Sequence, residues 1–208
     1  MGIFDSIVNN LKGIGKSEAG KAINQTVKNA GNAVASAVSN TTKKFTFNAI
    51  PAGIDEFKAL KEADLKDPFG VVALTVLAFN TYVNDKQAGT AMLNYLKGPE
   101  PLSPSDDTFI RDRFMDGKSF VVRSYFKGAK PENDYTPEQP YTIEVQEQAH
   151  SRDTIKEGYI KLFITSGGAD SPRYLTLRTK PSTGEWFLWD YKGMLMSIRV
   201  PVSQNKWA

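Results

Sequence analysis

One change of hydrophobic period divides this 208-residue chain, and it limits the fold more than any other feature. Up to Gly117 the apolar residues recur at helical spacing, and beyond it they alternate, with β-branched and aromatic runs separated by turn residues. Helices are predicted over Ile54–Glu62, Pro68–Val83, Asp85–Lys97 and Ser103–Phe114. Their punctuation is clear: Pro68 follows Asp67, Gly98-Pro99 closes the third helix, and Ser103-Pro104 with Asp106 and Asp107 supplies a cap, a first-turn proline and acidic charge at the positive end. Strands are predicted at Ser119–Phe126, Tyr141–Gln148, Gly158–Thr165, Arg173–Thr179 and Glu185–Tyr191. Helices first and strands afterwards, without βαβ alternation, predict an α+β fold with helices packed on one face of a five-stranded antiparallel sheet.

The first 44 residues differ in kind from the rest. They are rich in Ala, Asn, Gly, Ser and Lys, and Phe4 is their one aromatic. Ile3, Phe4, Ile7, Val8 and Leu11 fall on one face of a helix, with Lys12 and Lys16 at its rim, and a thin stripe from Ile23 to Ala37 follows. Six lysines stand here against Asp5 and Glu18, whereas the remaining residues hold 20 basic and 21 acidic side chains. The expected organisation is a basic amphipathic helical arm over 1–44 and a globular domain over 45–208, mainly helical to 117 and mainly strand from 118. Phe45-Thr46-Phe47 alternates like a short strand or an extended lead-in.

Cysteine is absent, which removes thiolate chemistry and disulfides, and the longest apolar run, Val71–Phe79, is too short to span a bilayer. A cytoplasmic protein is expected, one that the arm could bring to a membrane surface. With charge balance restored beyond residue 44, the domain lacks the basic stripe of a nucleic-acid binder, so no nucleic acid is expected as partner.

Leu96–Pro99 with Pro101–Pro104, Phe109–Met115, Arg123–Phe126, Ser166–Arg173 and Ser182–Trp189 form a motif set. On these motifs the stretch Pro99–Ala208 resembles an uncharacterised bacterial family classed as a domain of unknown function. The resemblance implies membership without a reaction, cofactor or catalytic residue.

Four features bear on chemistry. His150 is the one histidine, no Gly-x-Ser-x-Gly elbow accompanies it, and it reads as a turn residue rather than a catalytic base; zinc would need more ligands. Asp112, Arg113 and Arg123 are the candidates for a polar cluster, although acidic residues near a helix start and their Arg neighbours also fit ordinary ion pairing. The loop Ser166–Arg173 carries Gly167, Gly168, Asp170 and Arg173 as ligand-loop candidates, because small residues admit a phosphate or sugar to the backbone; it lacks a Walker signature, and a plain strand connection competes. Trp186-Phe187-Leu188-Trp189 places large apolar groups on both faces of one strand, which predicts a central strand covered twice, with a pocket for a sugar or base as the alternative.

No catalytic residue, metal or cofactor is expected. The leading expectation is a non-enzymatic binding or interaction module whose arm contacts a protein partner or an anionic membrane surface through Ile3, Phe4, Ile7, Leu11, Lys12 and Lys16. The alternative is a small-molecule binder or enzyme using the Gly167–Arg173 loop with Asp112, Arg113 and Arg123 as its polar groups.

Overall fold

The computed structural model describes residues 41–207. In chain order these form β1 (Thr42–Phe47), α1 (Ile54–Lys58), a 3-10 turn (Lys61–Asp64), α2 (Pro68–Asn84), α3 (Lys86–Lys97), α4 (Pro104–Phe114), α5 (Phe120–Arg123), β2 (Tyr141–Gln146), β3 (Tyr159–Ile164), β4 (Arg173–Lys180) and β5 (Glu185–Asp190). The five strands make one curled antiparallel sheet in the order β1-β2-β3-β4-β5, so the fold is α+β.

At the centre lies α2. Its sequence PFGVVALTVLAFNTYVN is apolar on every side, and a helix without a polar face is stable only when surrounded. Residues 69–82 are all buried. The helix packs on β1, β2, β3 and β5, on α3 and on α5. Its polar side chains are satisfied internally: Thr75 donates to the Val71 carbonyl at 2.8 Å, Asn80 to Val76 at 2.8 Å and Val122 at 3.3 Å, and Thr81 to Pro51 at 2.7 Å. Asp67 caps its start by accepting from the Phe69 amide, as the Asp67-Pro68 pair predicts.

A single residue, Asp85, ends α2 and caps α3 by accepting from Ala88 N at 3.0 Å. So tight a corner brings the two helices together at Gly89, where an added Cβ would sit 2.3 Å from the Tyr82 Cα. The predicted cap of α4 is a full capping box between Ser103 and Asp106.

The inward sheet face is aliphatic. Ile143 and Val145, Ile160, Leu162 and Ile164, Leu175 and Leu177, and Leu188 are all buried against the helices. Strands β2 and β3 pair only at Val145–Ile164 and Gln146–Phe163. Where they part, the segment after α5 comes in: Lys127 N donates to Thr142 O at 2.8 Å and Gly167 N to Ser124 O at 2.9 Å.

That junction overturns the strand predicted at Ser119–Phe126, which is the helical turn α5 followed by further turns. Its alternation of Phe120 with Val122 suggested period two, yet Phe120, Val121 and Val122 are consecutively buried. A strand has only every second residue on a given face, whereas a short helix wedged among α2 and the sheet can bury three in a row. The count of five strands survives because β1 joins the sheet. Starting at Thr42, β1 crosses the 44/45 position where composition changes. The arm residues Ile3, Phe4, Ile7, Leu11, Lys12 and Lys16 lie outside the described residues.

Two measurements check this packing. Gly89→Ala would ordinarily favour a helix, but here overpacking should dominate and lower stability by about 1–3 kcal/mol or more in urea denaturation. Gly53→Ala, with nothing within 4 Å of the new Cβ, should change little. Deleting residues 1–47 should melt well below a chain lacking 1–40, because the longer deletion removes β1 with buried Phe47 and the packed Phe45 ring; coincident melts would show that β1 is dispensable.

Candidate functional site

The loop Ser166–Arg173 is built against its own chain. An added Cβ at Gly167 would lie 1.9 Å from the Ala129 carbonyl oxygen, and one at Gly168 would lie 2.1 Å from the Tyr135 hydroxyl. Both glycines therefore make room for neighbouring chain rather than for a ligand. Gly168 O accepts from Arg199 N at 2.9 Å, and Arg173 donates to Met196 O and Ser197 O at 3.3 and 2.7 Å. Asp170 accepts from Arg199 at 2.8 Å, in an exposed pair. Tyr125 and Tyr135 donate from the other side, to Met194 O and Arg199 O. Burial pushes both phenols above their ordinary range, Tyr135 to about 12 against an opposing pull from Arg199, so they remain protonated donors. Together these groups pin the segment after β5.

The polar candidates do not converge on that loop. Asp112 pairs with Arg111 at 3.6 Å on the surface, and the Arg113 guanidinium rests 5.4 Å from the Phe109 ring centre. Asp112 and Arg113 line a small cavity with Lys118, Phe120, Val121, Leu195–Ile198 and Val200, and neither Arg123 nor any loop residue reaches it. Arg123 is exposed at the end of α5. His150 sits in a turn, as predicted, exposed and 3.0 Å from Asp153. Among the described residues, no three His, Cys, Asp or Glu side chains are grouped to hold a metal. No helix of the described residues is long and apolar enough to cross a membrane.

Other titratable groups serve structure. Glu147, 3% exposed, accepts a forked pair of hydrogen bonds from Arg152, which holds the guanidinium charged. Tyr191 buries its hydroxyl beside Asp106 without hydrogen-bond geometry, and burial, then the Asp106 charge, push its pKa up. For Asp106 itself burial acts to raise the pKa, but hydrogen bonds from Ser103 together with the nearby Lys97 charge act against it, and the carboxyl is lowered.

The site that geometry does assemble is on the outward face of β3–β5. Cross-strand register aligns Tyr159, Arg178 and Phe187, while Ile160, Leu177 and Leu188 point to the core. Alternation then returns Trp189 to the outward side. The Arg178 guanidinium lies 4.9 Å from the Trp189 ring centre and 5.5 Å from that of Tyr159, and the two rings meet edge to face at 5.6 Å. Next to them, Lys97, Pro99, Glu100, Lys180 and Pro181 complete a groove of about 300 Å³ with Phe187 and Trp189 in its wall. Gly98 has φ +61°, and a Cβ there would fall 2.2 Å from the Phe187 ring, so glycine is required for the loop to lie over that ring. Glu100 approaches Arg178 at 3.7 Å.

This corrects the prediction of a central strand covered on both faces. β5 is an edge strand. Trp186 packs inward against the core, whereas Trp189 is 39% exposed. The doubly apolar pattern has two origins: one face fills the core and the other forms the groove. The sequence reading missed Arg178 and Tyr159, since nothing in their local sequence announces that register will place them beside Trp189.

The fold and the groove define a small α+β domain with one buried helix, α2, against a curled antiparallel sheet and an aromatic, cation-bearing patch on the sheet's outward face. The chain belongs to the family described as Domain of unknown function (DUF6935), which matches residues 49–202. No curated protein and no solved structure matches the chain.

Two tryptophans three residues apart should respond unequally to truncation. Trp186→Ala should lower stability by about 2–4 kcal/mol, in the lower part of the range for large core deletions because Trp186 is only partly buried. Trp189→Ala should cost clearly less, and equal losses would return Trp189 to the core. Gly167→Ala should destabilise severely, because the Cβ meets backbone at a distance that no rotamer relieves.

Proposed function

We propose that this domain is a non-enzymatic binding module whose contact face is the outward surface of β3–β5 centred on Trp189. The observation that carries the reading is the exposure of Trp189 beside a fixed Arg178 and a groove. A large aromatic costs free energy in water, and exposed aromatics beside an arginine are typical anchors of recognition surfaces. The position is rigid, as recognition requires: the groove rests on sheet register on one side and on Gly98-Pro99 on the other.

A binding role also accords with what surrounds the groove. Its titratable members are cations and one carboxylate, and no nucleophile stands next to a base. The strongly shifted groups lie elsewhere: Tyr125 and Tyr135, which anchor backbone, and Tyr191, buried beside Asp106. The second reading, an enzyme or small-molecule site at Gly167–Arg173, has little support from a loop whose glycines are filled by Ala129 and Tyr135.

The basic arm extends this role in the proposal. Its apolar face at Ile3, Phe4, Ile7 and Leu11, rimmed by Lys12 and Lys16, suits a membrane surface or a groove on a protein partner, and each lysine near an anionic surface adds about 1 kcal/mol. Such contact would place a cytoplasmic domain at the membrane periphery.

A thermal-shift screen of the full chain against a chemically varied panel tests the face. At least one compound class should raise Tm in the wild type and not in Trp189→Ala; compounds that act equally on both proteins would remove Trp189 from the binding face. Vesicle co-sedimentation tests the arm separately. Anionic vesicles should carry the full chain down at low salt, neutral vesicles should not, and Phe4→Asp should abolish the effect; no sedimentation with anionic vesicles ends the membrane role.

A further inference from the structure

We infer that the Trp189 groove takes a small phosphate monoester carrying a flat ring, a ligand of nucleoside-monophosphate size; this rests on the β3–β5 face being the binding face. Four observations lead there. The groove of about 300 Å³ is at the small end of ligand sites, enough for one ring and one acidic group rather than for a chain of them. Lys97, Arg178 and Lys180 line the groove against one lining carboxylate, Glu100, with Glu185 opposite Lys180 just outside it, so an excess of positive charge remains for a phosphate to balance.

Trp189 keeps two-fifths of its surface exposed after Arg178 and Tyr159 have packed beside it, which leaves indole for a planar ring to cover. The cation next to it is already in place. Arg178 is fixed between two rings and steered by Glu100, and among the described residues Lys180 has no ion-pair partner. The walls are stiff as well, since Pro99 and Pro181 line the groove and Gly98 fits only the backbone it has. A preformed site of this kind loses little entropy on binding a small rigid ligand.

Titration of the full chain with adenosine and uridine monophosphates, with adenosine and with inorganic phosphate, followed by calorimetry and tryptophan emission, decides the matter. Both monophosphates should bind at least about tenfold more tightly than adenosine or phosphate alone, because each half supplies only the ring or only the charge. Lys180→Gln, a change at an exposed residue, should weaken monophosphate binding by about tenfold while leaving the melt unchanged. Trp189→Phe should retain binding that Trp189→Ala loses. Phosphate binding as tightly as the monophosphates would overturn the ring contact, and adenosine binding as tightly would overturn the charge contact. No binding of either monophosphate at millimolar concentration overturns the ligand class. If the compound screen then still finds Trp189-dependent ligands, the face stands and only its ligand was misassigned.

Discussion

The rest of the structure depends on the burial of α2. Fourteen consecutive residues of that helix are out of water, and an apolar helix of this length must be covered on every side before it is stable. A flat sheet would cover one stripe of it. Curling of the sheet brings β1, β2, β3 and β5 to α2, while α3 and α5 close the remaining sides. Small details follow from that enclosure: Gly89 lets α3 approach Tyr82, and Asn80 reaches across to the Val122 carbonyl, so that its buried amide is paired.

Much of this was legible from sequence because the signals were local. Helix ends were marked by Asp67-Pro68, Asp85, Gly98-Pro99 and Ser103-Pro104, each of which acts through hydrogen bonds within a few residues, and all four mark ends in the structure. Four of the predicted strands also stand, since alternation is likewise a local pattern. Phe120–Arg123 failed because its residues satisfy either period over so short a run, and which one wins depends on what surrounds them. There the neighbours are α2 and the gap where β2 and β3 part, and with no second layer among the described residues to cover the far face of a strand, three adjacent buried side chains are met by a helical turn.

Site residues were harder for the same reason. A glycine pair in a loop looks identical in sequence whether it makes room for a phosphate or for the Ala129 carbonyl, and only packing separates the two. The loop turned out to hold the segment from Met194 to Arg199 in place, with Tyr125 and Tyr135 clamping from the opposite side. The groove, by contrast, is a product of register. Tyr159, Arg178 and Phe187 come from three strands, and a shift of one residue in any pairing would turn its member to the core. The doubly apolar run Trp186–Trp189 did carry a signal, that something beyond one core face needed aromatic surface.

The edge position of β5 sets how this surface can recognise anything. An edge strand ordinarily offers unpaired amides and carbonyls to an incoming strand. Here the Trp186 amide is already taken by the Leu65 carbonyl at 2.8 Å, from the turn that follows Lys61–Asp64. Strand addition is blocked at that point, and the covering turn is itself held by the Lys66 side chain reaching the Thr183 carbonyl. At that position the β5 backbone is not free to pair, while Trp189 keeps its outward side chain exposed. In the proposed role, contact at this edge would run through the Trp189 indole and the cations beside it, which suits a compact ligand with a ring and a charge better than an extended peptide.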